Sequence, residues 1–342
     1  MAKHIIVVGG GIVGCLTALA LCDRGCQVTL VERNVVAAQT SGESSWAGAG
    51  ILFPLLPWLY KDAVNQLAME GANLYPSLCQ RLLTETGIDP EYTQSGLQIL
   101  PPFDETAAIN WCDNYQIAIE KNANGLLLPA IGQVRPPHLL QALRQLLIQQ
   151  NVTLLENTQL EPLANCEKIN SWKTISSSHS TGLALEADAF VVTSGAWSFD
   201  LLKETAAGLN IKPMRGQILL YENVTEKLEH IVYSNGFYLV PRRDGLLLAG
   251  STLEDVGFDT RTTDDVKQAL KTKAESILPS LKHAAIRKHW SGLRPGTPDN
   301  LPTITAHPTI KNLYLNTGHF RYGLTMAPAS AEKVVALICA KF

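Results

Sequence analysis

The period of the apolar pattern changes repeatedly along the chain, and each change marks an element. Ile5-Ile6-Val7-Val8 is an unbroken apolar run of strand length after His4, an apolar helical stretch then reaches Arg24, and after Gly25 comes a second strand, Val28 to Glu32. From Lys61 to Thr86, Val64, Leu67, Ala68, Leu74, Leu78 and Leu82 recur at helical spacing, with Gly87 placed as the residue that ends the helix and Pro76 as a point of bending. Strand-like pieces at Tyr92 to Leu100 and Gly125 to Val134 flank a helix at Glu105 to Tyr115. A helix from Pro136 to Gln150 opens on Pro136-Pro137, where a missing N–H costs little, and Val152 to Glu156 is a strand. Ala189 to Thr193 is a buried strand ending at Ser194-Gly195-Ala196-Trp197.

Ile211 to Ser251 reads as several strands joined at Asn235-Gly236 and Asp244-Gly245, dipeptides that favour tight hairpins. A helix over Thr263 to Leu278, strand and loop over His289 to Ile304, a strand at Asn312 to Leu315, a glycine-containing loop from Asn316 to Gly323 and a terminal helix from about Thr325 complete the chain. Segments of α/β character thus alternate with β-rich ones. The expected fold is α/β, a nucleotide-binding domain assembled from residues 1–86, 136–205 and 286–342, with an α+β substrate-binding cap from residues 87–135 and 206–285.

Between the first strand and helix stands Gly9-Gly10-Gly11-Ile12-Val13-Gly14. Gly9 permits the tight turn, Gly11 lets backbone approach a pyrophosphate, and Gly14 lets the helix pack close to the strand. An anion there meets the unpaired N–H groups and positive dipole end of a helix. Glu32 ends the second strand about 20 residues on, where a carboxylate accepts hydrogen bonds from ribose hydroxyls and repels a 2′-phosphate. These features distinguish a dinucleotide site from an ordinary strand-to-helix turn and leave FAD and NAD both open.

Composition narrows the class. With 342 residues, 46% hydrophobic and 17% charged, the chain is long enough for two cores. A net charge of −3 and no Lys/Arg run exclude the electrostatic footprint of a nucleic-acid or anionic-lipid binder. The seven cysteines are scattered without metal-like or CxxC spacing, so no metal is expected and the thiols read as reduced. Met1-Ala2-Lys3 run straight into a strand and no apolar run reaches membrane length, so neither a signal peptide nor a membrane span is expected, and the expected location is cytoplasmic. Ser171 to Ser180 reads as an exposed turn, and the small residues from Ala38 to Gly50 as a loop wrapped on a ligand.

Taken with Glu32-Arg33, that small-residue loop and the glycine turn, several distant motifs point to one family. They are Val192-Thr193-Ser194-Gly195-Ala196-Trp197, Pro213-Met214-Arg215-Gly216-Gln217, Tyr238-Leu239-Val240-Pro241-Arg242, Gly292-Leu293-Arg294-Pro295 with Thr297-Pro298-Asp299, and Gly318-His319-Phe320-Arg321-Tyr322-Gly323-Leu324. On these the chain resembles the FAD-dependent amino-acid oxidases of the D-amino-acid oxidase superfamily, and most closely the bacterial glycine oxidases associated with thiamine biosynthesis. The resemblance implies an FAD-binding Rossmann-like domain with an interleaved β-rich substrate domain. It implies FAD rather than NAD, held by Gly9, Gly11, Ile12, Val13, Gly14, Glu32, Arg33, Ser44, Ser45, Ala49, Gly50, Leu160, Ser194, Gly195 and Trp197, with Arg294 beside the ring. His319, Phe320, Arg321, Tyr322, Gly323, Leu324 and Thr325 would close over the flavin. No cysteine stands between Arg294 and Pro302, so FAD is expected to be non-covalent.

The family's substrate carboxylate partner maps to Arg294, assisted by Tyr238 and by Arg321 as a second arginine near the ring. Gly236 and Leu253 depart from the glycine-oxidase pattern, which carries a histidine and a methionine there. The implied reaction is oxidative deamination of glycine or another small amino acid or amine. Hydride passes from Cα to flavin N5, the imino acid hydrolyses to keto acid and ammonia, and O2 is reduced to H2O2. No catalytic side chain is assigned, because a neutral amine needs no general base. A D-amino-acid or sarcosine-type dehydrogenase with another acceptor, an oxidase of an N-methyl or carboxymethyl amine, and a non-catalytic flavoprotein are the alternatives. A homo-oligomer stays open.

Overall fold

The computed structural model describes residues 2–40, 42–175 and 182–342. Two sheets organise them. The first has six strands in the order Thr303–Ala306, Leu313–Thr317, Ala189–Val192, His4–Val8, Gln27–Val31, Thr153–Leu155. All neighbours are parallel except the edge strand Thr303–Ala306. Ile5 to Val8 lie at its centre and are buried, which is why that stretch is continuously apolar rather than alternating. Helices Ile12–Asp23, Pro136–Gln149 and Gly323–Cys339 pack together against this sheet, and the 25-residue helix Asp62–Thr86 lies across the last two. Gly87 closes that long helix at φ +73°, as its position predicts.

The second sheet has eight strands in the order Ala285–Gly296, Lys212–Glu222, Leu247–Gly250, Phe237–Pro241, Ile231–Ser234, Leu97–Ile99, Gly125–Leu128, Glu120–Asn122. Strand alternation sorts its residues into two faces. Leu219, Tyr221, Phe237, Leu239 and Leu247 pack under helix Asp264–Ile277, with Leu270 and Ala274. Ile218, Tyr238, Val240 and Trp290 turn the opposite way and join the core of the first sheet. Asn235 and Gly236 both have positive φ, the geometry of a two-residue hairpin turn.

Several expectations need correction. Ala285–Gly296 is one continuous strand paired with Lys212–Glu222, so Arg294 sits in the second sheet and on a strand, although a boundary near residue 286 assigns that stretch to the nucleotide-binding segments. The terminal helix begins at Gly323 rather than Thr325. Ser44–Ala47 forms a short helix inside the small-residue stretch. Of the supposed serine-rich turn, Trp172–Lys173 is a strand and Trp172 is buried, while 176–181 lies outside the described residues. No helix among the described residues is long and apolar enough to cross a membrane.

The crossing of the two long helices supplies a stability test. A Cβ on Gly71 would stand 2.1 Å from the Thr325 carbonyl oxygen. Alanine gains about 1 kcal/mol of helix propensity over glycine, but overpacking against backbone costs about 1–3 kcal/mol, so the clash outweighs the gain. Gly71→Ala is expected to lower the urea midpoint. An unchanged or raised midpoint would show that the helices separate without penalty.

Candidate functional site

The parallel sheet delivers its first strand into the glycine turn, and backbone geometry there is tightly constrained. Gly9 has φ +111°, and a Cβ on it would lie 2.9 Å from the Ser194 backbone. A Cβ on Gly14 would lie 1.8 Å from the Gly9 carbonyl oxygen, so only glycine lets the helix come this close to the strand. A Cβ on Gly11 would meet only Ser45 Oγ, at 2.9 Å. Ser45 Oγ accepts the Ile12 N–H at 3.0 Å, at the start of the helix.

Glu32 is buried and faces back to this turn. Its Oε2 accepts the Gly10 N–H at 2.7 Å and its Oε1 the Asn34 N–H at 2.9 Å. Burial raises its pKa, and the two backbone N–H groups only partly offset this. The Arg33 guanidinium lies 3.4 Å over the Trp197 ring and donates to Glu43 at 3.1 Å. Trp197 stacks in turn on Phe258, from the loop after Leu247–Gly250, with ring centroids 5.4 Å apart.

A cavity of about 360 Å³ runs from this turn to the second sheet. Of the residues expected at the cofactor, Gly9, Gly11, Ile12, Val13, Glu32, Arg33, Ser44, Ser45, Leu160, Ser194, Gly195, Trp197, Arg294, His319, Phe320, Arg321, Gly323 and Leu324 line it. Gly14 lies beneath the turn rather than on the wall. Ala49 and Gly50 are also off the wall: the Ala49 carbonyl accepts Arg242 Nη2 at 2.8 Å, and Gly50 packs on the Val134 carbonyl. Tyr322 points away, with its hydroxyl donating to the Leu55 carbonyl at 3.3 Å and its ring set edge-on to Tyr60. Thr325 donates to the Ile51 carbonyl at 3.1 Å. The turn of 3₁₀ helix at Phe320–Tyr322 and the first turn of helix Gly323–Cys339 account for Tyr322 and Thr325, because successive side chains on a helix project to different sides.

At the second-sheet end, Arg294 is half-buried. Its Nη1 donates to the Thr252 carbonyl at 3.1 Å and its Nη2 to Ser251 Oγ at 2.8 Å. Burial lowers its pKa, the nearby Tyr238 hydroxyl opposes that, and Arg321 adds to it. Tyr238 stands beside Arg294 without lining the cavity. Arg321 is exposed, with its guanidinium 5.4 Å from the Phe320 ring centroid. The cavity thus carries two guanidinium groups at one end and helix N–H groups at the other, a pairing suited to an anion at each.

Two wall residues have unanswered polar atoms. His319 Nε2 and Asn316 Oδ1 are buried without a partner. Loss of solvation pushes the His319 imidazole down to about 3. Asn316 and Thr317 escaped the sequence reading, as did Thr158 and Gln159. For Asn316 and Thr317 the only signal was a polar pair at the end of an otherwise apolar strand, facing the same crevice as Thr193-Ser194 at the end of its neighbour, whereas Thr158 and Gln159 lie in the loop after Thr153–Leu155.

Comparison with known proteins agrees with this geometry. A family profile described as FAD dependent oxidoreductase matches residues 4–337. A glycine oxidase of Pseudomonas aeruginosa is 38% identical over 99% of this chain and 95% of its own length, and one of Pseudomonas putida is 37% identical over the same shares. The crystal structure of glycine oxidase from Geobacillus kaustophilus, 25% identical, aligns with a TM-score of 0.86 over 99% of this chain and 95% of that one. With the match running from the first strand into the last helix, the chain belongs to the FAD-dependent oxidoreductase family.

Proposed function

We propose that this chain oxidises glycine or a comparably small amino acid or amine, with non-covalent FAD held in the cavity. The observation that carries the reading is the junction of a dinucleotide-type turn and a fixed arginine in one cavity. The residues fit FAD on three counts. The cavity lies within the range of roughly 300–1,000 Å³ usual for ligand pockets. The start of helix Ile12–Asp23 offers N–H groups to a pyrophosphate, and Glu32 keeps lone pairs for ribose hydroxyls. His319 Nε2 and Asn316 Oδ1 are buried polar atoms awaiting a partner.

Bound FAD supplies a two-electron acceptor for the hydride leaving the substrate Cα, with oxygen as terminal acceptor and hydrogen peroxide as product. The protein's own part is binding, orientation and exclusion of water. Arg294 forks onto the substrate carboxylate and Tyr238 supports it, which fixes the direction of the Cα–H bond. Arg321 adds positive charge at the same end. The imino acid released hydrolyses to the keto acid and ammonia. No side chain need remove a proton if the amine arrives neutral.

An anaerobic panel of glycine, sarcosine and D- and L-amino acids tests the reading. Small members are expected to bleach the oxidised flavin band, and air to restore it with peroxide formed. Bleaching that air does not reverse would point to another acceptor, and no bleaching by any amine would reject oxidation.

Loss of one member of a desolvated charge pair costs about 2–5 kcal/mol, so Arg294→Ala should lower kcat/KM by roughly two to three orders of magnitude with flavin content unchanged. Arg294→Lys should also be poor, since an ammonium lacks the planar fork. Near-normal kcat/KM for Arg294→Ala would move the clamp elsewhere.

The pH profile gives an independent check. His319, pushed down to about 3, stays neutral throughout the working range. Its protonation therefore cannot shape activity near neutrality, and kcat/KM is expected to rise with pH only as the substrate amine loses its proton, on the alkaline side. A limb near pH 6–7 that disappears in His319→Gln would contradict this.

A further inference from the structure

The motif Pro213-Met214-Arg215-Gly216-Gln217 has no task in the reaction described so far, yet it lies directly against Arg294. In the antiparallel register Met214 faces Arg294 and Gly216 faces Gly292, so Gly216 is the diagonal neighbour of Arg294 on the same face of the sheet. The guanidinium lies over Gly216 so closely that a Cβ there would be 2.0 Å from Nη1 and 2.4 Å from Cζ and Nη2. Gly216 has no positive φ, so its missing side chain is required for space rather than for backbone freedom.

The flanking residues act on the opposite side. Arg215 and Gln217 grip the loop after Leu247–Gly250. Buried Arg215 donates to Glu254 Oε2 at 2.7 Å and to the Arg261 carbonyl at 2.8 Å, and Gln217 Nε2 donates to Glu254 Oε1 at 3.0 Å. Thr252 Oγ1 donates to Glu254 Oε1 at 2.5 Å and accepts the Gln217 N–H at 2.9 Å. Thr252 is the residue whose carbonyl holds Arg294 Nη1. A continuous chain of contacts therefore runs from Arg215 and Gln217 through Glu254 and Thr252 to the guanidinium.

We propose that Gly216 and Glu254 are positioning residues for recognition of the substrate carboxylate: Gly216 is the seat on which the Arg294 guanidinium lies flat, and Glu254, through Thr252, fixes the carbonyl that sets its rotation. The inference rests on the reading that Arg294 meets that carboxylate. Its physical content is pre-organisation. An arginine already held flat by its seat, the Thr252 carbonyl and Ser251 presents its other N–H groups in the plane a carboxylate needs, so binding does not have to order a flexible side chain. Burial alone would raise the Glu254 carboxyl, but hydrogen bonds from Arg215, Thr252 and Gln217 hold it below its usual range and keep it an acceptor.

The test uses flavin-loaded enzyme titrated with acetate, a carboxylate that carries no oxidisable amine, followed by the absorbance of the bound flavin, alongside steady-state oxidation of glycine. Displacement of a positioning contact by about an ångström costs up to about 100-fold, so Gly216→Ala and Glu254→Ala are expected to raise the acetate Kd and the glycine KM by about 10- to 100-fold. Flavin content should hold, and kcat at saturating glycine should fall much less than kcat/KM. Glu254→Gln, which retains an acceptor for Thr252, should recover most of the acetate affinity lost in Glu254→Ala, a recovery that a general loss of stability would not produce. Where Gly216→Ala does not fold, the two Glu254 variants decide the matter. A wild-type protein that responds to acetate while its variants bind acetate equally well would overturn the positioning role alone. A wild-type protein with no response to acetate would overturn the Arg294 clamp and this inference with it.

Discussion

The distance between helix Ile12–Asp23 and the first strand is the constraint on which the rest of the molecule depends. At Gly14 that distance leaves no space for a single methyl group beside the Gly9 carbonyl. The approach brings the helix N-terminus directly above the strand end, where its N–H groups open into the cavity. It also sets the layer that the other helices follow, since Gly323–Cys339 packs on Ile12–Asp23 and Asp62–Thr86 packs on Gly323–Cys339. A second close contact, Gly71 on the Thr325 carbonyl, continues the same tight stacking outward. Small residues here serve proximity, and proximity serves the site.

Charge is distributed along the cavity in a consistent way. At the glycine turn, backbone N–H groups and the helix dipole favour an anion, while buried Glu32 is tied to two backbone donors and feels the nearby Arg33 and Glu43 charges in opposite directions. At the far end, Arg321 stands near enough to weigh on Arg294, which carries its charge in partial burial. Arg321 is exposed and keeps its hydration, whereas Arg294 gives up part of its solvation and recovers it through the Thr252 carbonyl and Ser251 Oγ.

The second sheet owes its role to strict alternation. Along Lys212–Glu222, Leu219 and Tyr221 pack under helix Asp264–Ile277 and Arg215 and Gln217 on the same side grip the loop after Leu247–Gly250, while Gly216 and Ile218 face the other way. Along Phe237–Pro241 the same rule places Leu239 in the core and Tyr238 beside Arg294. A slip of one residue in either ladder would exchange the faces and part Tyr238 from Arg294. Paired strands thus hold Arg294 and Tyr238 more firmly than a loop would, with the loop after Leu247–Gly250 contributing carbonyl and hydroxyl acceptors.

What the sequence determined by itself was local. The glycine turn, Glu32 about 20 residues beyond it, the long helix stopped by Gly87 and the Asn235-Gly236 hairpin were all legible, because each rests on steric rules acting within a few residues. Tertiary structure decided which distant groups meet. That Ala285–Gly296 is one strand in the second sheet follows from its pairing with Lys212–Glu222, a strand separated from it in sequence by the hairpin strands and helix Asp264–Ile277, and no local pattern encodes that register. The same register lays Arg294 over Gly216, an interaction visible in the sequence only as two unconnected motifs. Tyr322 and Thr325 stand in the motif that closes on the cavity, yet both turn to the carbonyls of Leu55 and Ile51, because helical rotation separates neighbours in sequence onto different sides. Asn316 and His319 are polar residues whose burial depends on walls supplied by other strands, so their orphaned atoms become a signal only once those walls are in place.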